Sequence, residues 1–340
     1  MNVIALKSGE DVLISFINFL KQYIISMRLY YAFVTGIAGW IGVDFYQHIA
    51  LNFNKGEVIT PPEKKFVILI LLFLSWGVNQ IINDFLGLKE DKINAPHRPM
   101  VTGELNPAGA VMFSAFLLVT TAGIIYFYLQ PIALIPLFAG VVLNIIYEYS
   151  KAYGIIANIV FGLMISMCSI FGYLASGPSS APYFTKSRLS VLFLIWLMNG
   201  LMTYYTYFKD YYGDKLADKK TLVVRLGINR SRILGIFSAL LPTIAFLVIY
   251  NNNLIVARTN NIFIILGFLT FFLQLWTGFL YYKYPSGEKT YYSLAVNFRA
   301  CVCGQAALIA LFNAELAMIL FLVSYIFVGF IFDLHTDSKS

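Results

Sequence analysis

The sequence predicts an all-α integral membrane protein, a bundle of about nine or ten transmembrane helices. Three observations predict it. Hydrophobic residues make up 59% of the 340 positions and charged residues only 12%, where a soluble domain carries about 45–50% apolar and about 25% charged. The mean hydropathy is +0.74. Apolar runs of about 20 residues, the length that spans a bilayer, recur along the whole chain. Inside hydrocarbon every backbone N–H and C=O needs an internal partner, so runs of this length read as helices and not as open strands.

The elements follow in order. Val12 to Met27 is amphipathic and is expected to lie in the membrane interface. Spans are expected near 29–47, 66–83, 107–129, 131–148, 154–176, 188–208, 232–250, 261–281, 291–312 and 314–333. Segment 291–312 is the weakest, because Asn297, Arg299 and Gln305 interrupt it; it reads either as a full span or as partly interfacial. Residues 1–340 read as a single unit, with an N-terminal interfacial segment at 1–28 and two polar connections at 84–106 and 209–231. The first residues, MNVIALKSGEDVLIS, carry acids where a cleavable leader has a basic region. Cys168, Cys301 and Cys303 fall in apolar segments and read as small buried hydrophobes, and His48, His97 and His335 are too scattered for a metal cluster.

The net charge of +7 is assigned to connections facing anionic lipid, not to nucleic acid. Connection 209–231 holds Lys209, Lys215, Lys219, Lys220, Arg225 and Arg230. The opposite side is sparser, with Lys55, Lys64, Lys65, Lys186 and Arg258. With the N-terminus inside, 84–106 and 209–231 both fall on the cytosolic side. They follow the second and the sixth span, which implies two pseudo-equivalent halves.

Both connections gather acids. In NDFLGLKED, Asn83, Gly87 and Asp91 are spaced i, i+4, i+8; in KDYYGD, Asp210 and Asp214 are spaced i, i+4. On a helix each set shares one face. Asn83, Asp91, Asp210 and Asp214, with Asp84 and Glu90 beside them, offer the oxygen ligands that Mg²⁺ takes alongside water and substrate phosphates. Arg28, Lys92, Arg98, Lys151, Lys209 and Lys215 stand near enough in sequence to neutralise phosphate charge. A polar mouth ahead of an aromatic-rich apolar interior describes an isoprenyl diphosphate held at the bilayer. A transporter or lipid-binding protein is the contrasting reading; it would place charges near the bilayer midplane, whereas these cluster at helix ends.

The stretch NDFLGLKEDKINAPHRPMVTGEL, Asn83 to Leu105, resembles the first signature of the UbiA superfamily of intramembrane prenyltransferases, NDxxDxxxD followed by an RP pair. YTYFKDYYGDKLADKKTLVVRLG, Tyr205 to Gly227, resembles the second, YxxxKDxxDxxGDxxxGxxT with a following LG. Tyr149, Ser150, Lys151 and Asn158 resemble the family's connection between its fourth and fifth helices. The resemblance implies a helix bundle around a lipid-open apolar cavity, with Mg²⁺ bridging a diphosphate to both motifs. It implies no obligate protein partner.

Two departures set the expected reaction. Gly87 stands where the family carries aspartate, and the second motif is three residues short, which removes its middle acid. NxxxGxxxD with DxxxD resembles the UbiA-type terpene cyclase branch. The expectation is therefore a single membrane-embedded catalytic domain acting as a Mg²⁺-dependent terpene cyclase on prenyl chains of roughly C15–C25. The alternative is a prenyltransferase with an aromatic or other lipophilic acceptor. A cyclase needs aromatic faces toward the carbocation, and the candidates are Trp76, Phe161, Tyr173, Trp196, Tyr204, Tyr205, Tyr207 and Trp276, with Tyr204 and Tyr205 about one turn before the second motif. Asn144, Asn158 and Asn199 read as interhelical hydrogen-bonding groups, with Asn158 also in reach of a diphosphate, and His97 reads as a loop residue.

Overall fold

A computed structural model describes residues 9–52, 59–178, 184–255, 257 and 259–337. Lys55 and Arg258 of the sparsely basic side, and residues 1–8, lie outside them. The described residues form helices in the order α1 Gly9–Met27, α2 Phe33–Asn52, α3 Pro62–Leu86, α4 Leu88–Asn94, α5 Pro99–Thr102, α6 Pro107–Tyr128, α7 Leu134–Ser150, α8 Ile155–Ser176, α9 Lys186–Leu216, α10 Leu222–Leu226, α11 Ile228–Ser238, α12 Leu241–Asn251, α13 Asn261–Lys283, α14 Thr290–Ala310 and α15 Ala314–Asp337. Among the described residues eight helical stretches are long and apolar enough to cross a membrane, with α11 and α12 forming one of them. This is an all-α, multi-pass membrane protein.

Local chemistry sets the helix ends. Asn106 caps α6 by accepting from the Gly109 N–H at 2.8 Å, ahead of Pro107. Thr185 caps α9 through the Arg188 N–H at 3.2 Å, and Asn260 caps α13 through the Phe263 N–H at 2.8 Å. Each cap satisfies a donor that the helix cannot. The expected span 232–250 is instead broken near Ala239, just before Pro242 in the first turn of α12.

Close helix approach organises the core. Gly42 of α2 and Gly172 of α8 leave no room for a side chain: a Cβ would stand 1.9 Å from the Ser169 carbonyl oxygen and 2.0 Å from that of Gly39. In hydrocarbon, where apolar transfer gives helices no reason to associate, such contacts let backbones touch and pack. Helix α14, the weakest span by sequence, lies at the centre, with almost every residue buried. Its polar residues face helices, not water. Asn297 donates to the Met202 carbonyl at 2.9 Å, and Gln305 to Asn199 Oδ1 at 3.4 Å. The Arg299 guanidinium sits 4.6 Å over the Tyr325 ring.

Helix α1 packs one face on α3 and α6. Tyr23 and Ser114 share a hydrogen bond of 2.7 Å, and Tyr23 meets the Phe113 ring edge-on at 4.9 Å. Its other face exposes Leu13, Ile14, Ile17 and Ile24.

Candidate active site

Both motifs are more helical than the sequence reading allowed. Asn83 and Asp84 end α3, Gly87 is the hinge into α4, and Asp91 sits in α4. The second motif is no loop: α9 continues unbroken through Lys209, Asp210 and Asp214 to Leu216. The i, i+4 spacing then puts both aspartates on one face. Helix α4 packs against α9, and Gly213 permits this, since a Cβ there would stand 1.6 Å from Asn94 Oδ1. Asn94 in turn donates to Asp214 Oδ1 at 3.3 Å and ties the motifs together. The bend after α7 joins them through a bridge between Gly154 and Thr221, and through Arg225, which donates to the Ala152 carbonyl at 3.0 Å.

A cavity of about 190 Å³ lies between the motifs. Its walls include Arg28, Asn83, Asp84, Gly87, Asp91, Arg98, Lys151, Lys209, Asp210 and Asp214, all predicted from sequence. Arg28 donates to Asp84 Oδ1 at 2.6 Å and also pairs with Oδ2; Gln80 reaches Oδ1 at 3.0 Å and Arg98 at 3.2 Å. Arg98 is also paired with Asp91. Burial pushes the Asp91 carboxyl up to about 6, opposed by Arg98 and reinforced by Asp84. Lys209 lies 3.8 Å from Asp210.

The inner wall is apolar: Tyr31, Trp76, Phe161, Met164, Met202, Leu294 and Phe298. Tyr31 stacks on Phe298 with ring centroids 4.6 Å apart. An apolar groove of about 290 Å³ between α3, α6, α7 and α8 adjoins this wall, sharing Asn79 and Met164 with it. A charged mouth thus leads to a greasy interior that continues toward the outside of the bundle.

Several expected residues stand elsewhere. Tyr204 and Tyr205 turn away from the cavity: their hydroxyls donate to the Ser231 carbonyl at 2.6 Å and the Gly235 carbonyl at 2.5 Å, holding α11 against α9. Asn158 donates to the Gly200 carbonyl at 3.2 Å and lines a separate apolar groove. Lys92 and Lys215 are exposed at the rim and do not line the cavity. Of the other aromatics, Trp76 and Phe161 line it, whereas Tyr173, Trp196, Tyr207 and Trp276 do not.

The lining also includes residues not expected from the motifs, among them Tyr31, Gln80 and Phe298 and, with charge or hydrogen-bonding roles at the mouth, Glu148 of α7, Lys219 after α9, and Asn94. Glu148 pairs with Lys151 at 2.5 Å and with Lys219 at 3.2 Å, and Lys219 pairs with Glu90 at 2.7 Å. A buried glutamate inside an otherwise apolar span was the signal for Glu148.

The donor set suits a hard cation. Every acidic or amide donor on the cavity is oxygen-bearing, and Asn83 Oδ1 and Glu90 Oε2 are buried with no hydrogen-bond partner. Among the described residues no three acids, histidines or cysteines form a ready-made metal cage. Mg²⁺ takes oxygen ligands of this kind alongside waters and substrate phosphates.

The model of the UbiA prenyltransferase family matches residues 53–301, most of the chain, and the chain belongs to that family. It is 27% identical over 290 residues to the digeranylgeranylglyceryl phosphate synthase of Methanosarcina mazei, covering 82% of this chain and 96% of that protein. The namesake enzyme of Sulfolobus acidocaldarius is 31% identical over 199 residues, covering 54% of this chain and 68% of its own. A UbiA homolog from Archaeoglobus fulgidus, solved bound to DMAPP and Mg²⁺, has the same fold at a TM-score of 0.61 and 14% identity, covering 85% of this chain and 99% of that one.

These relatives overturn the cyclase expectation. Both relatives are named digeranylgeranylglyceryl phosphate synthase, one of them matched over 96% of its length, and with the family this favours the prenyltransferase alternative. Gly87 and the shortened second motif therefore do not mark a cyclase. The space beside Gly87 is not left without charge: a Cβ there would stand 3.5 Å from Glu148 Oε1 and 3.7 Å from Glu90 Oε2.

Proposed function

We propose that this chain is a Mg²⁺-dependent prenyltransferase that moves the prenyl group of an isoprenyl diphosphate onto the hydroxyl of a lipophilic acceptor of the glyceryl phosphate type. The observation that carries the proposal is the cavity itself, with two acidic motifs and five cationic side chains at its mouth and an aromatic, apolar inner wall. The relatives' names supply the acceptor class.

Asn83, Asp91, Asp210 and Asp214 are the residues proposed to hold Mg²⁺, which when bound supplies positive charge to the departing diphosphate. Arg28 and Arg98 fix Asp84 and Asp91 in place, and Lys151 and Lys209 offer donors to phosphate oxygens. Trp76, Tyr31 and Phe298 present aromatic faces to the first prenyl carbons, where positive charge develops as the C–O bond breaks. The acceptor oxygen then bonds that carbon, its proton leaves, and diphosphate is the other product. We also place the whole chain in one catalytic unit, with the cavity mouth on the cytosolic side. The basic cluster around 209–231 supports this orientation.

The test incubates purified protein with Mg²⁺ and radiolabelled C15 or C20 diphosphate, with and without a glyceryl phosphate lipid alcohol. The expected result is a prenyl ether, with diphosphate released only when acceptor is present. Acceptor-independent release with a hydrocarbon product would overturn the transfer reading.

A further inference from the structure

Lys219 falls at an unspecified position of the second signature, yet its ammonium reaches the heart of the site. The chain leaves α9 at Leu216 and reverses at Asp218, whose φ of +57° is left-handed. The Lys219 N–H then bonds the Asp214 carbonyl at 2.8 Å. That turn sends the side chain back over the helix end. Its Nζ lies 2.7 Å from Glu90 Oε1 and 3.2 Å from Glu148 Oε1, two carboxylates from different helices. Both flank Gly87, within 3.7 Å of where its Cβ would stand.

A positive charge is therefore already fixed beside the position where the first motif lacks a third ligand. Glu148 holds it from one side while pairing with Lys151 at 2.5 Å on the other. An ammonium has three donors. Two are engaged by Glu90 and Glu148, which leaves one for the cavity. Unlike Mg²⁺, an ammonium needs no octahedron of oxygens. It tolerates the loss of a carboxylate that a metal at the same place would require.

We propose that Lys219 is a built-in cation of the diphosphate pocket, standing beside Gly87 in place of a divalent ion and binding a phosphate oxygen directly. The proposal rests on the prenyl diphosphate reading above. Glu90 and Glu148 are its positioning residues.

The experiment measures calorimetric binding of inorganic diphosphate, and of an unreactive prenyl thiolodiphosphate, across a Mg²⁺ series that begins in EDTA. Wild-type protein keeps measurable diphosphate binding in EDTA. Lys219→Gln weakens that binding about tenfold or more, the scale of one lost charged hydrogen bond, and raises the Mg²⁺ needed for half-saturation. Lys219→Arg keeps it, and Lys220→Gln, at the exposed neighbour, leaves it unchanged. Lys219→Met preserves the apolar stem and carries the same readout should the amide variant fail to fold. Adding Gly87→Asp to Lys219→Gln restores binding only when Mg²⁺ is present. Wild-type binding that vanishes in EDTA, or a Lys219→Gln curve that overlays wild type at every Mg²⁺ concentration, overturns the proposal. Failure of wild-type protein to bind the prenyl thiolodiphosphate even with Mg²⁺ overturns instead the functional reading beneath it.

Discussion

Asp91 shows how one carboxylate can be both buried and useful. It lines the cavity, is paired with Arg98, and has its pKa pushed up to about 6, first by burial and then by Asp84, against Arg98 and Arg28. A carboxylate raised in this way is protonated at pH values where an ordinary aspartate is charged, and a protonated acid is a poor Mg²⁺ ligand. Mg²⁺-dependent diphosphate binding is thus expected to be full above pH 7 and to fall as pH drops through about 6. Asp91→Asn should remove that step along with most of the binding, as titration calorimetry at pH 5 to 8 would show. The sign also holds for stability, since a raised carboxyl pKa makes ionised Asp91 a net cost to the unliganded fold. Asp210→Ala and Asp214→Ala should each lower turnover by about a hundredfold or more while leaving the detergent-purified protein monodisperse. Near-normal turnover in both would remove the second motif from the site.

Helix α9 carries the second motif and also Tyr204 and Tyr205, which the structure turns away from the cavity. The spacing of Tyr204 and Tyr205 before Asp210 is legible in sequence, and both do share the helix with it. Which way a residue points depends on the partner helix, and α11 supplies backbone carbonyls that take both hydroxyls. Lone buried hydroxyls are costly in an apolar interior, so that bond fixes the side chains away from the cavity. Tyr205→Phe leaves the Gly235 carbonyl without this donor and is expected to cost about 0.5–1.5 kcal/mol. A thermal melt in detergent should show it as a lowered midpoint, with the Mg²⁺ concentration for half-maximal turnover unchanged. A shift in that Mg²⁺ requirement would return Tyr205 to the site. Helix α14 teaches the converse lesson. Asn297, Arg299 and Gln305 lower its hydropathy, yet they mark the most buried helix, because polar groups in membrane helices face other helices. Glu148 is visible in the sequence as an acid in an apolar span, but its role is not, because that depends on Lys151, Lys219 and Gly87, which are brought together only by folding.

At the scale of the molecule, hydropathy alone reveals a helical membrane bundle, and the two motifs reveal its family. The catalytic branch is not legible from two missing acids, because charge at a site is a sum over everything that folding brings there. Lys219, at an unspecified position of the second motif, and Glu148, outside both motifs, alter that sum. The same global accounting leads to an expected orientation for the bundle. The cavity mouth, the C-terminal turns of α9 and the basic stretch 209–231 share one end of the structure. Cytosolic connections concentrate lysine and arginine, so this end is expected to face the cytosol, where water-soluble diphosphate is released. Lys92 and Lys215 are exposed at that end and lie outside the cavity, which makes them suitable reporters. Cys301 and Cys303 are buried and Cys168 half-buried, so the native thiols give little background. Lys92→Cys and Lys215→Cys should react with a membrane-impermeant maleimide only after the cells are permeabilised. Rapid labelling of either in intact cells would reverse the orientation, and with it the side on which diphosphate leaves.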